Sequence, residues 1–298
     1  MRLMTMGSSL PPYFGNSDSD LQELARRIGP LQAMAFDVDG TIADAEGSVG
    51  ERAVAALRSL SQAGIEPIIV TGRILPVAAD PLRRAGHHGI VIASNGTRIG
   101  DLATEEIIYS QPMPEEISRL AIQTGRELGL VTVFTLPDRL VVEVFEEGNR
   151  WTQGGYAVFK IDVQDLDTVD PTLVYNVMFG HPDPAYLDSL NTELKARFPY
   201  IDRSMTNFYE MTAPGEGKDK GMQILAERKG IDLGKVAGFG DGGNDVSWLR
   251  EIGHPIAVKN ARPEVMEVCE ARIGHHADDA VARFIENYLA EYSGPRLN

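Results

Sequence analysis

Five short apolar runs constrain this chain more than anything else in it: "LQAMAF" (31–36), "EPIIV" (66–70), "IVIASNG" (90–96), "KVAGFG" (235–240) and "HPIAV" (254–258). They lack the polar alternation of a sheet that faces water, so they read as strands buried on both faces. The stretches between them have helical spacing: "SVGERAVAALRSLSQAG" (48–64), "LPVAADPLRRAG" (75–86), "KGMQILAERKG" (220–230) and "DVSWLREIG" (245–253). Ser48 and Glu51 stand at capping-box spacing, with Gly64 as the stop. Short buried strands separated by helices form a parallel sheet with right-handed crossovers.

The rhythm breaks near residue 97 and resumes near 206. Between them, "LVTVFT" (130–135) and "LVVEVF" (140–145) flank a Pro137-Asp138 turn and predict an antiparallel hairpin with one solvated face. Helical stretches at 114–128 and 184–197 surround two further strands, "YAVFKIDV" (156–163) and "TLVYNVMF" (172–179). The expected fold is therefore α/β: a doubly wound, Rossmann-like parallel sheet built from 1–97 and 206–298, with an inserted α+β unit at 98–205. Residues 1–30 form an N-terminal extension. Within it, "SDLQELARRIG" (19–29) reads as a docking helix, Ser19 and Gln22 being its expected capping box.

Composition narrows the function. The 298 residues carry a formal charge of −15, which opposes binding to a nucleic-acid backbone. No apolar stretch approaches the ~18 residues of a membrane span, and a reducing cytoplasm is the expected location. The single cysteine, Cys269 in "EVMEVCEAR", forbids an internal disulfide and reads as a buried hydrophobe on a helix.

In an open parallel sheet, ligands bind beyond the carboxyl ends of the strands. Three such ends carry unusual residues: Asp37-Val38-Asp39-Gly40-Thr41, Thr71-Gly72-Arg73, and Gly240-Asp241-Gly242-Gly243-Asn244-Asp245. "GEGKDKGM" adds Lys218 and Lys220 at the start of a helix. Asp37, Asp241 and Asp245 would repel one another without a cation, and hard oxygen donors with room for water and phosphate suit Mg²⁺. Thr71, Gly72, Asn244 and a helix-start lysine supply the donors that a phosphate dianion needs. Of the pair Asp37 and Asp39, one carboxylate can attack phosphorus while the other protonates the leaving oxygen. "GFGDGG" (238–243) also satisfies a dinucleotide fingerprint, but Asp241 inside that cradle would oppose a pyrophosphate unless a metal intervened. A calcium loop fails because Ile42 stands where glycine is required. His87-His88 and His275-His276 read as solvated loop residues, Trp151 and Tyr156 as packing residues of the insertion.

"DVDGT", "TGR", "KG" at 220–221 and "GDGGND", in this order, resemble the four motifs of the haloacid dehalogenase superfamily of phosphatases. "SNGT" (94–97), the insertion and "AVKNA" (257–261) are similar to its Cof-type branch, whose insertion is an α/β cap. The resemblance spans roughly 31–290. It implies that Asp37 is a nucleophile forming an aspartyl-phosphate, and that Asp39 is general acid and base while lending its carbonyl to Mg²⁺. It further implies that Asp241 and Asp245 are metal ligands and that Thr71, Lys220 and Asn244 hold the phosphoryl group. Lys220 is preferred to Lys218 because Gly221 follows it. Gly72 and Arg73 border the same loop, Arg73 contacting either substrate or a surface acid. The expected activity is hydrolysis of a small phosphorylated metabolite, a sugar phosphate first. A phosphotransferase or mutase using the same intermediate, and a non-catalytic phosphate- or dinucleotide-binding module, are the alternatives.

Overall fold

A computed structural model describes residues 10–15, 17–86, 88–143 and 161–292. In chain order the elements are α1 (Asp18–Ile28), β1 (Ala33–Phe36), α2 (Glu51–Gln62), β2 (Glu66–Val70), α3 (Leu75–Ala78), α4 (Asp80–Ala85) and β3 (Ile90–Ala93). There follow β4 (Arg98–Asp101), β5 (Glu106–Ser110), α5 (Glu115–Glu127), β6 (Val131–Thr135), β7 (Leu140–Val142), β8 (Ile161–Val163), β9 (Asn176–Gly180), α6 (Pro184–Ser189) and α7 (Asn191–Arg197). The last third holds β10 (Asp202–Met205), β11 (Phe208–Thr212), α8 (Lys218–Lys229), β12 (Val236–Gly240), α9 (Val246–Leu249), β13 (His254–Ala257), α10 (Pro263–Met266), β14 (Ala271–Arg272) and α11 (Ala280–Tyr292). They form two compact units, Met1–Pro67 with Ile231–Asn298, and Ile68–Gly230.

The first unit is a parallel sheet. β12 runs beside β1 and beside β13, and β13 beside β14. Strand and helix alternate here because the strands are apolar on both faces: every residue of β1 and β12 is buried. Phe36 and Phe239 occupy one register position and stack at 5.5 Å, with Phe284 of α11 tilted against Phe239 at 5.3 Å. That aromatic block lies under the carboxyl ends of β1 and β12 and gives the loops above it a firm floor.

The N-terminal extension docks on this unit by two routes. Arg272 N donates to Pro12 O and Phe14 N to Arg272 O, both at 2.8 Å, so the extension pairs with β14. Its helix α1 begins earlier than the capping-box expectation: Ser17, not Ser19, is the cap, its hydroxyl accepting from Asp20 N at 3.2 Å. Leu21, Leu24, Ala25 and Ile28 are buried, as their spacing predicts, and Tyr292 of α11 donates its hydroxyl to Ala25 O. Ser48 likewise does not cap α2, which starts after an extended Gly50. Cys269 lies between α10 and β14 rather than on a helix. It is buried, and burial pushes its thiol up to about 12, so it behaves as the small hydrophobe that was expected.

In the second unit β2 runs parallel to β3, and the hairpin β4–β5 continues from β3 antiparallel. Among the described residues this unit also holds a six-stranded sheet, ordered β10-β11-β9-β6-β7-β8. The β6–β7 hairpin closes at 136–139 through Leu136 N donating to Arg139 O at 2.8 Å. Among the described residues its expected solvated face is absent, because both faces of the hairpin strands are covered. Phe134 and Val141 join a core with Phe179, Phe198 and Ile122. Val133, Leu140 and Val142 pack on the other side with Ile74, Met178 and Phe208. β11, which follows residue 206, pairs with β9. "YAVFKIDV" is described only from Ile161; Trp151, Tyr156 and His87 lie outside the described residues. Among the described residues no helix is long and apolar enough to cross a membrane.

Candidate active site

β1 ends in Asp37, whose N–H continues the strand pairing by donating to Phe239 O at 2.9 Å. The chain then turns sharply: Val38 O accepts from Thr41 N, Ile42 N and Ala43 N at 3.2, 3.0 and 2.9 Å. This turn leaves Asp37 buried and Asp39 exposed, so the two carboxylates meet different environments two residues apart. β12 ends in Gly240, and Asp245 folds back under the loop that follows. Its Oδ2 accepts from Asp241 N at 3.1 Å and Gly242 N at 2.9 Å, and its Oδ1 from Trp248 Nε1 at 2.9 Å. Asp245 is fully buried and held by three donors; Asn244 beside it is exposed.

These turns bring Asp37, Asp241 and Asp245 together. One carboxylate oxygen of each lies within 4.8 Å of the others. Two unit charges at that separation repel by about 3.5 kcal/mol at an effective dielectric near 20. Three such pairs approach the whole stability of an ordinary domain. A hard divalent cation offsets that repulsion, and an all-oxygen set of this kind is what such a cation takes. The loop is also shaped for the close approach. Gly40 has φ +76°, and a Cβ there would lie 2.4 Å from Asp241 Oδ2, while Thr41 Oγ1 donates to Asp241 Oδ1 at 3.3 Å. Gly40→Ala must therefore displace Asp241 and should weaken divalent-ion binding about tenfold, measured by calorimetry; unchanged affinity would mean that Asp241 is not a ligand.

Thr71, Gly72 and Arg73 belong to the second unit, beyond β2. Thr71 is buried, with its N–H donating to Ile92 O at 2.9 Å and its O accepting from Asn95 N at 3.0 Å. Its Oγ1 accepts from Arg73 N at 3.2 Å, which folds the turn, and Arg73 is itself buried. Asn95, with φ +52°, sends its Nδ2 to Glu210 Oε1 at 2.8 Å, where Asn176 Nδ2 also donates at 2.7 Å. Burial pushes the Glu210 carboxyl above the ordinary carboxylate range, opposed by the Asn176, Ser204 and Asn95 side chains and the Lys218 charge.

The two lysines part company at the start of α8. Lys218 is 2% exposed, whereas Lys220 faces solvent. Gly221 explains the difference. A Cβ on it would lie 2.7 Å from Ile92 Cγ2 and 3.1 Å from Gly96 Cα, so this glycine marks the helix face pressed on the 94–97 loop. Residues three apart share a helix face, so the lysine on that face is Lys218. Reading the glycine as a neighbour of Lys220 in sequence missed its role as a packing position.

Asn260 and His276 escaped the sequence reading of the site. Asn260 Nδ2 donates to Gly40 O at 2.7 Å, and His276 Nδ1 meets Ala43 O at 2.8 Å. His276 was expected to be a solvated loop residue; it is half-buried and bonded at the ring. Only "AVKNA" hinted at Asn260, since contacts to main-chain carbonyls leave no residue pattern.

Comparison with known proteins identifies the family and the fold. A model of the haloacid dehalogenase-like hydrolases matches residues 34–285. A phosphoglycolate phosphatase of Methanothermobacter thermautotrophicus is 28% identical, over 86% of this chain and 99% of its own. A haloacid dehalogenase-like hydrolase from Bacteroides thetaiotaomicron superposes with a TM-score of 0.77 at 23% identity, over 86% of this chain and 98% of its own. A structure described as a sugar phosphatase of subclass IIB superposes with a TM-score of 0.71 at 22% identity, over 86% and 98%. With a family match that runs from β1 into α11 and takes in every motif described above, the chain belongs to the haloacid dehalogenase-like hydrolases.

Proposed function

We propose that this protein is a Mg²⁺-dependent phosphatase that hydrolyses a small phosphorylated metabolite through an aspartyl-phosphate on Asp37. The observation that carries the reading is the convergence of Asp37, Asp241 and Asp245 within 4.8 Å. Those residues, with the Asp39 carbonyl, would hold Mg²⁺. When bound, the cation neutralises charge on the carboxylates and on the phosphate and polarises the phosphoryl oxygens.

The chain's own residues then divide the work. An Asp37 oxygen bonds to phosphorus as the ester oxygen leaves, taking its proton from Asp39. A water next gives a proton to Asp39 and attacks phosphorus, releasing phosphate and restoring Asp37. Thr71, with the neighbouring Gly72 N–H, and Asn244 are the family-pattern candidates for holding the phosphoryl oxygens. Arg73 has no separate step in this scheme. For the lysine the reading moves from Lys220 to Lys218, because burial fixes an ammonium that solvent would leave mobile. The 98–205 insertion serves as the cap that selects substrate. Sugar phosphates are the favoured class, in keeping with the sugar phosphatase neighbour, and a cytoplasmic site of action completes the reading.

The test is a panel of phosphorylated metabolites assayed for free phosphate with Mg²⁺ and after chelation. Turnover should fall at least about 100-fold on chelation and return with Mg²⁺, and Asp241→Ala should not recover. Turnover indifferent to chelation would end the metal assignment, and transfer to a second hydroxyl in place of free phosphate would make the enzyme a phosphotransferase.

A further inference from the structure

The loop that carries Asp39 is held at two main-chain points by residues far along the sequence. Asn260 follows β13 and donates Nδ2 to Gly40 O at 2.7 Å. His276 follows β14 and approaches Ala43 O through Nδ1 at 2.8 Å. A carbonyl can only accept, so Nδ1 carries the proton. The two holds are themselves joined, since His276 N donates to Asn260 Oδ1 at 3.2 Å. Inside the loop, Val38 O gathers three N–H groups. Those internal bonds shape the turn but do not fix it to its surroundings. Its outward carbonyls, Gly40 O and Ala43 O, meet the loops that follow β13 and β14, while Thr41 reaches Asp241.

We infer that Asn260 and His276 are positioning residues: a two-point clamp on residues 40–43 that sets Asp39 and Thr41 relative to Asp241. Neither is part of the carboxylate cluster. They act through the backbone, as outer partners of a metal site do, where loss typically costs about 10–100-fold. The role needs one N–H donor at the depth of a histidine Nδ1, and an asparagine amide reaches the same place. His276→Asn should therefore preserve the function, whereas His276→Leu, of similar bulk, should not. A residue that merely filled space would rank those two variants the other way.

The experiment compares wild type, Asn260→Ala, His276→Leu and His276→Asn. Two readouts run in parallel: hydrogen exchange of the 41–44 amides, and kcat and KM with p-nitrophenyl phosphate. Asn260→Ala and His276→Leu should each speed exchange in that segment about tenfold while α11 keeps its protection. Each should lower kcat by about 10–100-fold with KM within about threefold, and His276→Asn should restore both readouts. Wild-type exchange in both disrupting variants, or a His276→Asn protein no better than His276→Leu, would overturn the clamp. The kinetic arm rests on the phosphatase reading. If wild type hydrolyses nothing, that reading falls, and exchange alone then decides the clamp.

Discussion

Asp37→Asn should abolish phosphate release, lowering kcat by roughly 10⁴-fold or more, about 5 kcal/mol of barrier. The substitution keeps the shape of the side chain and its place at the end of β1, so the loss is one of chemistry. An amide oxygen carries no charge to attack phosphorus, and no acyl phosphate can form on it. The same change should stabilise the metal-free protein. Asp37 sits within 4.8 Å of both other carboxylates, and removing one charge relieves two repulsive pairs. The melting temperature without divalent ions should therefore rise, and the advantage should shrink as Mg²⁺ is added, since the wild-type site gains more from the cation. Stoichiometric labelling from a phosphorylated substrate should disappear in parallel. An Asp37→Asn variant with more than about a tenth of wild-type turnover would remove the nucleophile assignment. One that melts lower in the absence of metal would contradict the repulsion argument.

What could be read from sequence follows a physical divide. β1, β12 and β13 were legible because strands buried on both faces must be apolar nearly throughout. β14 and the 12–14 segment were not, since two residues of main-chain pairing leave no pattern in side chains. The β4–β5 hairpin was missed because all of β5 is exposed or half-exposed, so "EIIYS" (106–110) shows neither a long apolar run nor a clean alternation. The carboxylates were legible because acids placed at the ends of apolar strands have no structural reason to be there. Asn260 and His276 were illegible as site residues because their partners are carbonyl oxygens, which every residue has. The solvated face expected for the β6–β7 hairpin failed because Glu143, just past the strand, was read as marking a polar face that Val141 and its cross-strand partner Phe134 in fact bury.

The two lysines offer the sharpest test of how burial bears on the site. Lys218→Met should lower kcat/KM by about 10²–10³-fold, the range for losing one well-placed charged donor to a phosphoryl group, while Lys220→Met should stay within about threefold of wild type. Methionine keeps the length and the apolar stem, so packing of α8 against the 94–97 loop survives. The change also bears on Glu210. Burial already raises that carboxyl, and the Lys218 charge is among the influences that hold it down. Without the ammonium it should rise further. A carboxyl raised in the folded state binds a proton that the unfolded chain does not, so it contributes stability below the ordinary carboxylate range and loses it as pH rises. Lys218→Met should thus approach wild-type stability near pH ~4 and fall progressively behind it toward pH ~8, whereas Lys220→Met should track wild type throughout. Urea unfolding across that range reads the difference directly. A flat difference between Lys218→Met and wild type would uncouple Lys218 from Glu210, and a larger kinetic loss at Lys220 would return the phosphate-binding role to the exposed lysine.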